Sequence, residues 1–254
     1  MNDTMRNAVA KVPAVTAGFW LIKILATTLG ETGGDAVTMS MGLGYLVGTA
    51  IFATIFAVAV GWQIRAREFH PFLYWTTVVA STTVGTTLAD FADRSLGIGY
   101  AGGTALLLAL LLASLWSWRR TLGSVSVESV GDTPSELFYW MTIMFSQTLG
   151  TALGDWLADT AGFGYLGAAV VFGAALLVVL FLHLRTQVSK TALFWAAFIL
   201  TRPLGAVVGD FLDKPVAKGG LDLSRYTASA VLLVAIVAMI LLLPQKPARV
   251  TASA

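Results

Sequence analysis

Residues 28–35 read Thr-Leu-Gly-Glu-Thr-Gly-Gly-Asp, and variants of this segment occur three more times, as TVGTTLAD at 83–90, TLGTALGD at 148–155 and PLGAVVGD at 203–210. Each is preceded by a tryptophan, Trp20, Trp75, Trp140 or Trp195. Ten residues after each Trp stands Gly30, Gly85, Gly150 or Gly205, and fifteen residues after it stands Asp35, Asp90, Asp155 or Asp210. In the first three copies a Gly-x-Gly-Tyr follows, ending at Tyr45, Tyr100 and Tyr165; the fourth departs, inserting Lys214-Pro215 and a polar stretch before Tyr226. A register kept four times identifies one unit used in tandem.

The surroundings of the repeat say what kind of unit it is. Of 254 residues 57% are hydrophobic and only 12% charged, and mean hydropathy is +0.78. A soluble domain carries roughly 25% charged residues. This composition excludes a disordered chain, a nucleic-acid binder and an ordinary soluble enzyme. With no cysteine, disulfides, thiolate metal sites and thiol nucleophiles are excluded as well. A helix needs about 20 apolar residues to cross a bilayer. Such stretches begin near Ala14, Gly44, Phe72, Gly99, Leu137, Gly164, Ala192 and Tyr226. The expected fold is therefore all-α and integral to the membrane: eight transmembrane helices from four parallel tandem hairpins, pseudo-symmetric about the membrane normal.

Ten Lys and Arg residues fall on the side where hairpins are joined (Arg6, Lys11, Arg65, Arg67, Arg119, Arg120, Arg185, Lys190, Lys246, Arg249), and four (Arg94, Lys214, Lys218, Arg225) on the other. The excess of basic residues places the joining side, and both termini, on the cytoplasmic side of the membrane. Lys23 interrupts the first apolar run, which does not read as a cleaved signal peptide. The Trp spacings of 55, 65 and 55 divide the chain into a first half at 1–120, a cytoplasmic linker at 121–135 and a second half at 136–254.

The four Trp residues, with the Gly and Asp positions after them, make the segment from about Phe19 to Leu243 resemble a family of bacterial integral membrane proteins built from four two-helix repeats. That family is known as a repeat of unknown function. The resemblance supports the architecture and implies no activity.

Each recurring residue has its own chemistry. Gly30/Gly34, Gly150/Gly154 and Gly205/Gly209 are GxxxG pairs, with Gly85/Ala89 their equivalent, and small residues four apart let helices approach closely in lipid. The tryptophans are expected in an interfacial aromatic belt. Of fourteen Asp and Glu residues, eight lie in the motifs: Glu31 with Asp35, Asp90 with Asp93, Asp155 with Asp159 and Asp210 with Asp213. Each pair is three or four apart, which puts both carboxyls on one helical face. An acid facing lipid costs at least about 2.5 kcal/mol, so eight of them must face protein or water. The principal aspartates, fifteen residues beyond their Trp, lie about 22 Å along the helix. Capping of short turns explains one Asp per repeat less strainedly than two.

Stepping back by fours from each principal Asp traces Lys23-Thr27-Glu31-Asp35, Val78-Thr82-Thr86-Asp90, Ile143-Gln147-Thr151-Asp155 and Phe198-Arg202-Ala206-Asp210. Converging, these faces would line an oxygen-rich path whose rungs are about 6 Å apart. Lys23 and Arg202 need acidic partners or water, and would neutralise the acids when the path is empty.

Carboxylate, hydroxyl and carbonyl oxygens suit a hard divalent cation, manganese or magnesium. The expected function is secondary transport or export of such an ion, with Glu31, Asp35, Asp90, Asp155 and Asp210 as ligands. The pathway would add Asp93, Asp159, Asp213, Lys23, Arg202, Thr27, Thr86, Gln147 and Thr151. His70 and His183 sit at the far span ends, and Met39 and Met41 read as packing. The only cation expected is the transported one, with no cofactor, and the partners are lipid and a small ion or solute, not nucleic acid; a homo-oligomer is left open. Two alternatives stand beside this: a proton-coupled carrier of a small organic solute, and a membrane scaffold whose glycine faces bind a partner. With no P-loop, nucleophile–base pair or cofactor fingerprint, an enzyme is not expected. Only the first repeat has an acid directly after the motif glycine, so Glu31 and Asp35, with Asp155 of the matching repeat, are expected to matter most.

Overall fold

The computed structural model describes residues 10–248; Arg6 and Arg249 of the charge count lie outside the described residues. Among the described residues there are eight α-helices: α1 (Ala17–Asp35), α2 (Gly44–Arg65), α3 (Pro71–Asp90), α4 (Tyr100–Leu122), α5 (Thr133–Asp155), α6 (Gly164–Arg185), α7 (Lys190–Asp213) and α8 (Arg225–Leu242). Local signals start the odd helices. The Thr16, Asp132 and Ser189 side chains cap α1, α5 and α7, and Pro71 opens α3 at a position that needs no backbone donor. Five helices, α2, α4, α6, α7 and α8, are long and apolar enough to cross a membrane by length and composition, and the chain is a multi-pass membrane protein. The five are fewer than the eight expected spans because α1, α3 and α5 carry most of the polar rungs.

Those rungs are hidden by the packing. α1 lies on α3, α3 on α5, α5 on α7 and α7 back on α1, so the odd helices close a ring. Each even helix covers the odd helix of the following repeat: α2 on α3, α4 on α5, α6 on α7 and α8 on α1. The two sequence halves therefore interlock at α3–α5 and α7–α1. The outer faces are apolar, with Leu46, Leu112, Leu177, Leu184, Val234 and Leu241 among the exposed residues.

The motif glycines set the spacing of the ring. A Cβ built on Gly30 would meet Thr82, one on Gly85 would meet Gln147, one on Gly150 Arg202 and one on Gly205 Thr27. Each glycine thus abuts, in the next odd helix, the residue seven positions after that repeat's Trp. Gly34 and Gly209 repeat the pattern a turn later against Thr86 and Glu31, and Gly154 against Ala206 and Val207. At Gly85 the obstruction includes backbone, with the Gln147 carbonyl carbon 2.8 Å from the added Cβ. Gly85→Ala is therefore expected to destabilise the protein by about 1–3 kcal/mol. Gly173→Ala, with nothing within 4 Å in α6, should hold or raise stability. Thermal unfolding in detergent checks the pair, and equal melting points would remove close approach as the reason for Gly85.

The end of the ring where the odd helices start is filled by aromatic rings. Tyr74, Trp75, Trp118, Tyr139, Trp140, Trp195 and Phe198 are buried together, and the Tyr74 and Tyr139 hydroxyls bond at 2.6 Å. This corrects the expected interfacial belt. Only Trp20 of the four motif residues is partly exposed, and the other three form the plug of the ring. The linker is also more ordered than its polarity suggests. α4 runs on to Leu122, a 3-10 turn spans Val127–Ser129, and a capping box at Asp132 starts α5 at Thr133. Val127 and Val130 are buried, and the Val125 carbonyl accepts from the Trp195 indole. The Pro13–Pro247 bridge and the Lys11–Glu136 ion pair bring the first and last described segments to this same face.

Candidate functional site

At the opposite end α1, α3 and α5 change geometry directly after Asp35, Asp90 and Asp155. A five-residue π-helical turn follows each, at Ala36–Ser40, Phe91–Ser95 and Trp156–Thr160. Such turns are rare and collect at functional positions. The Gly-x-Gly after each has both glycines at positive φ, as at Gly42 (70°) and Gly44 (76°), and turns the chain into the even helix. None of the three aspartates makes a side-chain capping bond to its turn. The carboxyls of all four principal aspartates are buried, with exposures of 0% for Asp35, 2% for Asp90, 3% for Asp155 and 2% for Asp210.

Two cations tie the four together, each bridging its own repeat to the next. Arg94 Nε lies 2.9 Å from Asp90 and its Nη2 3.5 Å from Asp155. Lys214 Nζ pairs with Asp35, lies 3.0 Å from Asp210 and reaches Asp213 at 4.0 Å. Arg225 adds Asp213 at 2.9 Å and Asp35 at 3.7 Å. Asp155 stands within electrostatic range of Glu31, Asp90 and Asp210, so one field covers the group.

One turn deeper lies a second centre. Arg202, fully buried on α7, donates to Glu31 at 3.0 Å and to the hydroxyls of Thr86 and Thr151. Four odd helices thus meet at one guanidinium. Thr86 also donates to Glu31 at 3.2 Å. Deeper still, Gln147 donates to Ser81 at 3.4 Å, and the oxygens Gln147 Oε1, Ser146 Oγ and Thr82 Oγ1 are buried without a hydrogen-bond partner. Thr27 donates to the Lys23 and Ile24 carbonyls of its own helix.

Glu31, Asp35 and Asp210 each present a carboxylate oxygen such that all three lie within 4.8 Å of one another. Hard divalent cations take oxygens at about 2.0–2.6 Å, so opposed ligands stand roughly 4–5 Å apart. The three carboxyls fit that requirement. Asp35 Oδ1 has no hydrogen-bond partner. Around the group six carboxyls (Glu31, Asp35, Asp90, Asp155, Asp210, Asp213) meet four cations (Arg94, Arg202, Lys214, Arg225). A closed cluster with surplus negative charge is balanced by protons or by a further cation.

The structure brings Glu31, Asp35, Asp90, Asp155, Asp210, Asp213, Arg202, Thr86 and Thr151 together. Asp93 is half-buried beside Gly103 on α4, and Asp159 is exposed on its π turn. Lys23 differs from its expected role as a counter-ion. Its ammonium sits 4.0 Å from the centre of the Phe198 ring and 3.4 Å from the Thr201 hydroxyl, without an acidic partner among the described residues. Thr27, not Lys23, occupies in the first repeat the level that Arg202 holds in the fourth. Arg202 does pair with Glu31, but the cations that bridge the principal aspartates across repeats are Arg94 and Lys214, which the charge count had assigned to the loops. The missed signal was periodic: each stands four residues after its principal Asp, in the second and fourth repeats alone.

The four repeats match a family described as Repeat of Unknown Function (DUF347), at residues 18–69, 73–124, 138–189 and 193–244. The chain belongs to this family. No curated protein and no solved structure shows significant similarity to it.

Proposed function

We propose, from four DUF347 repeats closed into a ring, that the protein is a secondary transporter of a hard divalent cation, manganese or magnesium, in a bacterial inner membrane. The observation that carries this reading is the meeting of one carboxyl from every repeat, with Glu31, in a single buried cluster above a polar ring interior. All eight helices span the bilayer in this proposal. α3 and α5 connect ends already reached by the apolar helices beside them, and a helix inside the ring needs no apolar surface of its own. The four hairpins then relate by an axis along the membrane normal, with both termini cytoplasmic under the charge bias of the loops.

The ring reads as an occluded state. The aromatic plug closes the cytoplasmic end, and Lys214, Arg94 and Arg225 close the other. The close set of carboxylate oxygens from Glu31, Asp35 and Asp210 favours an ion over an organic solute. The scaffold alternative is weakened because the glycine faces are spent inside the chain, against Thr82, Gln147, Arg202 and Thr27. Purified protein in liposomes containing a manganese-quenched dye is expected to give flux above empty liposomes, with a rate that changes under an imposed pH gradient if protons are the counter-ion. No flux of either Mn²⁺ or Mg²⁺, in either direction, would sink the proposal.

A further inference from the structure

Resting on the transport reading, the geometry points to a single-ion site on the seam between the fourth and first repeats, formed by Glu31, Asp35 and Asp210, with the Lys214 ammonium as its tethered occupant that an incoming divalent cation displaces.

The ring has two seams of like construction, and they differ where it matters. At the seam of repeats two and three, Arg94 bridges Asp90 and Asp155, and the residue one turn below Asp155 is Thr151. At the seam of repeats four and one, Lys214 bridges Asp210 and Asp35, and the residue one turn below Asp35 is Glu31. Only the second seam offers three carboxylates within ligand range among the described residues. Asp35 of that trio is fully buried, and its Oδ1 is an acceptor without a hydrogen-bond partner. A cation already sits there. An arginine stays charged and holds carboxylates with a planar fork, whereas a lysine is a compact point charge on a flexible stem, the closer stand-in for a metal ion.

The backbone that carries Lys214 is fixed, and the ammonium reaches the carboxyls on a flexible four-carbon stem. Lys214 N–H donates to the Asp210 carbonyl, and its own carbonyl accepts from Asp222 N–H at 2.9 Å. Leu221 and Leu223 N–H donate back to the Phe211 and Leu212 carbonyls, lacing the loop onto the end of α7. Gly220 presses so closely on the Lys214 carbonyl that a Cβ there would overlap it. The insertion that sets the fourth repeat apart thus builds a laced post for one tethered cation. When the ion leaves, the ammonium returns and keeps the carboxylates from being buried unpaired.

Binding of Mn²⁺, read from the loss of the free-ion electron paramagnetic resonance signal, tests this on purified protein in detergent. One ion per chain is expected. Lys214→Met removes the competitor and should tighten binding at least about tenfold, while Asp210→Asn removes a ligand and should weaken it by at least about 100-fold, more than the loss of a supporting partner costs. Asp155→Asn, in the same field but outside the ligand set, should cost no more than about tenfold, the low end of the range for a supporting partner, and the exposed-lysine control Lys218→Met should leave binding unchanged. Should Lys214→Met fail to remain monodisperse, the wild-type chain still decides. Amine methylation followed by mass spectrometry is expected to modify Lys214 more with Mn²⁺ than without, and Lys218 equally in both. Unchanged binding in folded Lys214→Met, or Lys214 labelling indifferent to Mn²⁺, overturns the displaced lysine. Equal losses in Asp155→Asn and Asp210→Asn overturn the single seam. Binding as described without flux in liposomes leaves this inference standing and overturns transport; absence of Mn²⁺ binding in every form overturns both.

Discussion

Asp35→Asn is expected to lower Mn²⁺ flux in reconstituted liposomes by at least about 100-fold, the loss of a ligand exceeding the 10–100-fold that removal of a supporting partner costs. Asp35 is the carboxyl on which the cluster converges. Its Oδ2 takes Lys214 and Arg225, its Oδ1 is without a hydrogen-bond partner, and it is wholly buried at the junction of α1 with its π turn. Asn keeps the volume and removes the charge. It also sets an amide that can donate opposite an ammonium, so the variant loses attraction for a displacing ion. Folding should survive, because acids outnumber cations in the cluster and Lys214 keeps Asp210 and Asp213. The control is Asp159→Asn, an exposed motif acid, which should transport at the wild-type rate. Wild-type flux from correctly inserted Asp35→Asn protein would end the assignment of this cluster to the transport path.

The architecture was legible because period and composition point the same way. Trp, Gly and Asp in one register fix a tandem hairpin, and an apolar even helix beside a polar odd helix says which lies outside. The register also predicted helix contact at the glycines. What it could not say was which residue each glycine meets, because the order of odd helices around the ring is not encoded in any one of them. The tryptophans misled for a related reason. An aromatic near a span end satisfies either a lipid interface or a ring of its own copies, and only the closure of four helices selects the second. The cations of the site were hidden by the loop count. Arg94 and Lys214 sit just beyond a helix end, where a basic residue reads as exposed, and the π turns or laced loop that fold them back leave no hydropathy signal. Lys23 was visible as unusual but not as unpaired, since partners across helices cannot be read along one.

Arg202→Met is expected to cost about 3–5 kcal/mol of stability, the range for removing one partner of a buried ion pair. The cost arises at Glu31, left charged in a closed interior with Thr86 as its nearest donor. Glu31→Gln alone should cost similarly, because Arg202 is 0% exposed and its remaining partners are the neutral hydroxyls of Thr86 and Thr151 and the Thr27 carbonyl. The double variant removes both charges, so its loss should be smaller than the sum of the single losses by at least about 1.5 kcal/mol, within the range of coupling between residues in contact. Unfolding in detergent, with the wild type and all three variants in one series, measures this. Additive losses would mean that Arg202 acts as a packing residue against Gly150 and not as the counter-ion of Glu31. The cycle also separates stability from transport. Glu31 serves the Arg202 centre through one oxygen and the Asp35–Asp210 seam through its place among the three carboxylates. A double variant that folds well and carries no ion would show that the first repeat keeps its extra acid for the seam, with Arg202 present to hold that acid in place.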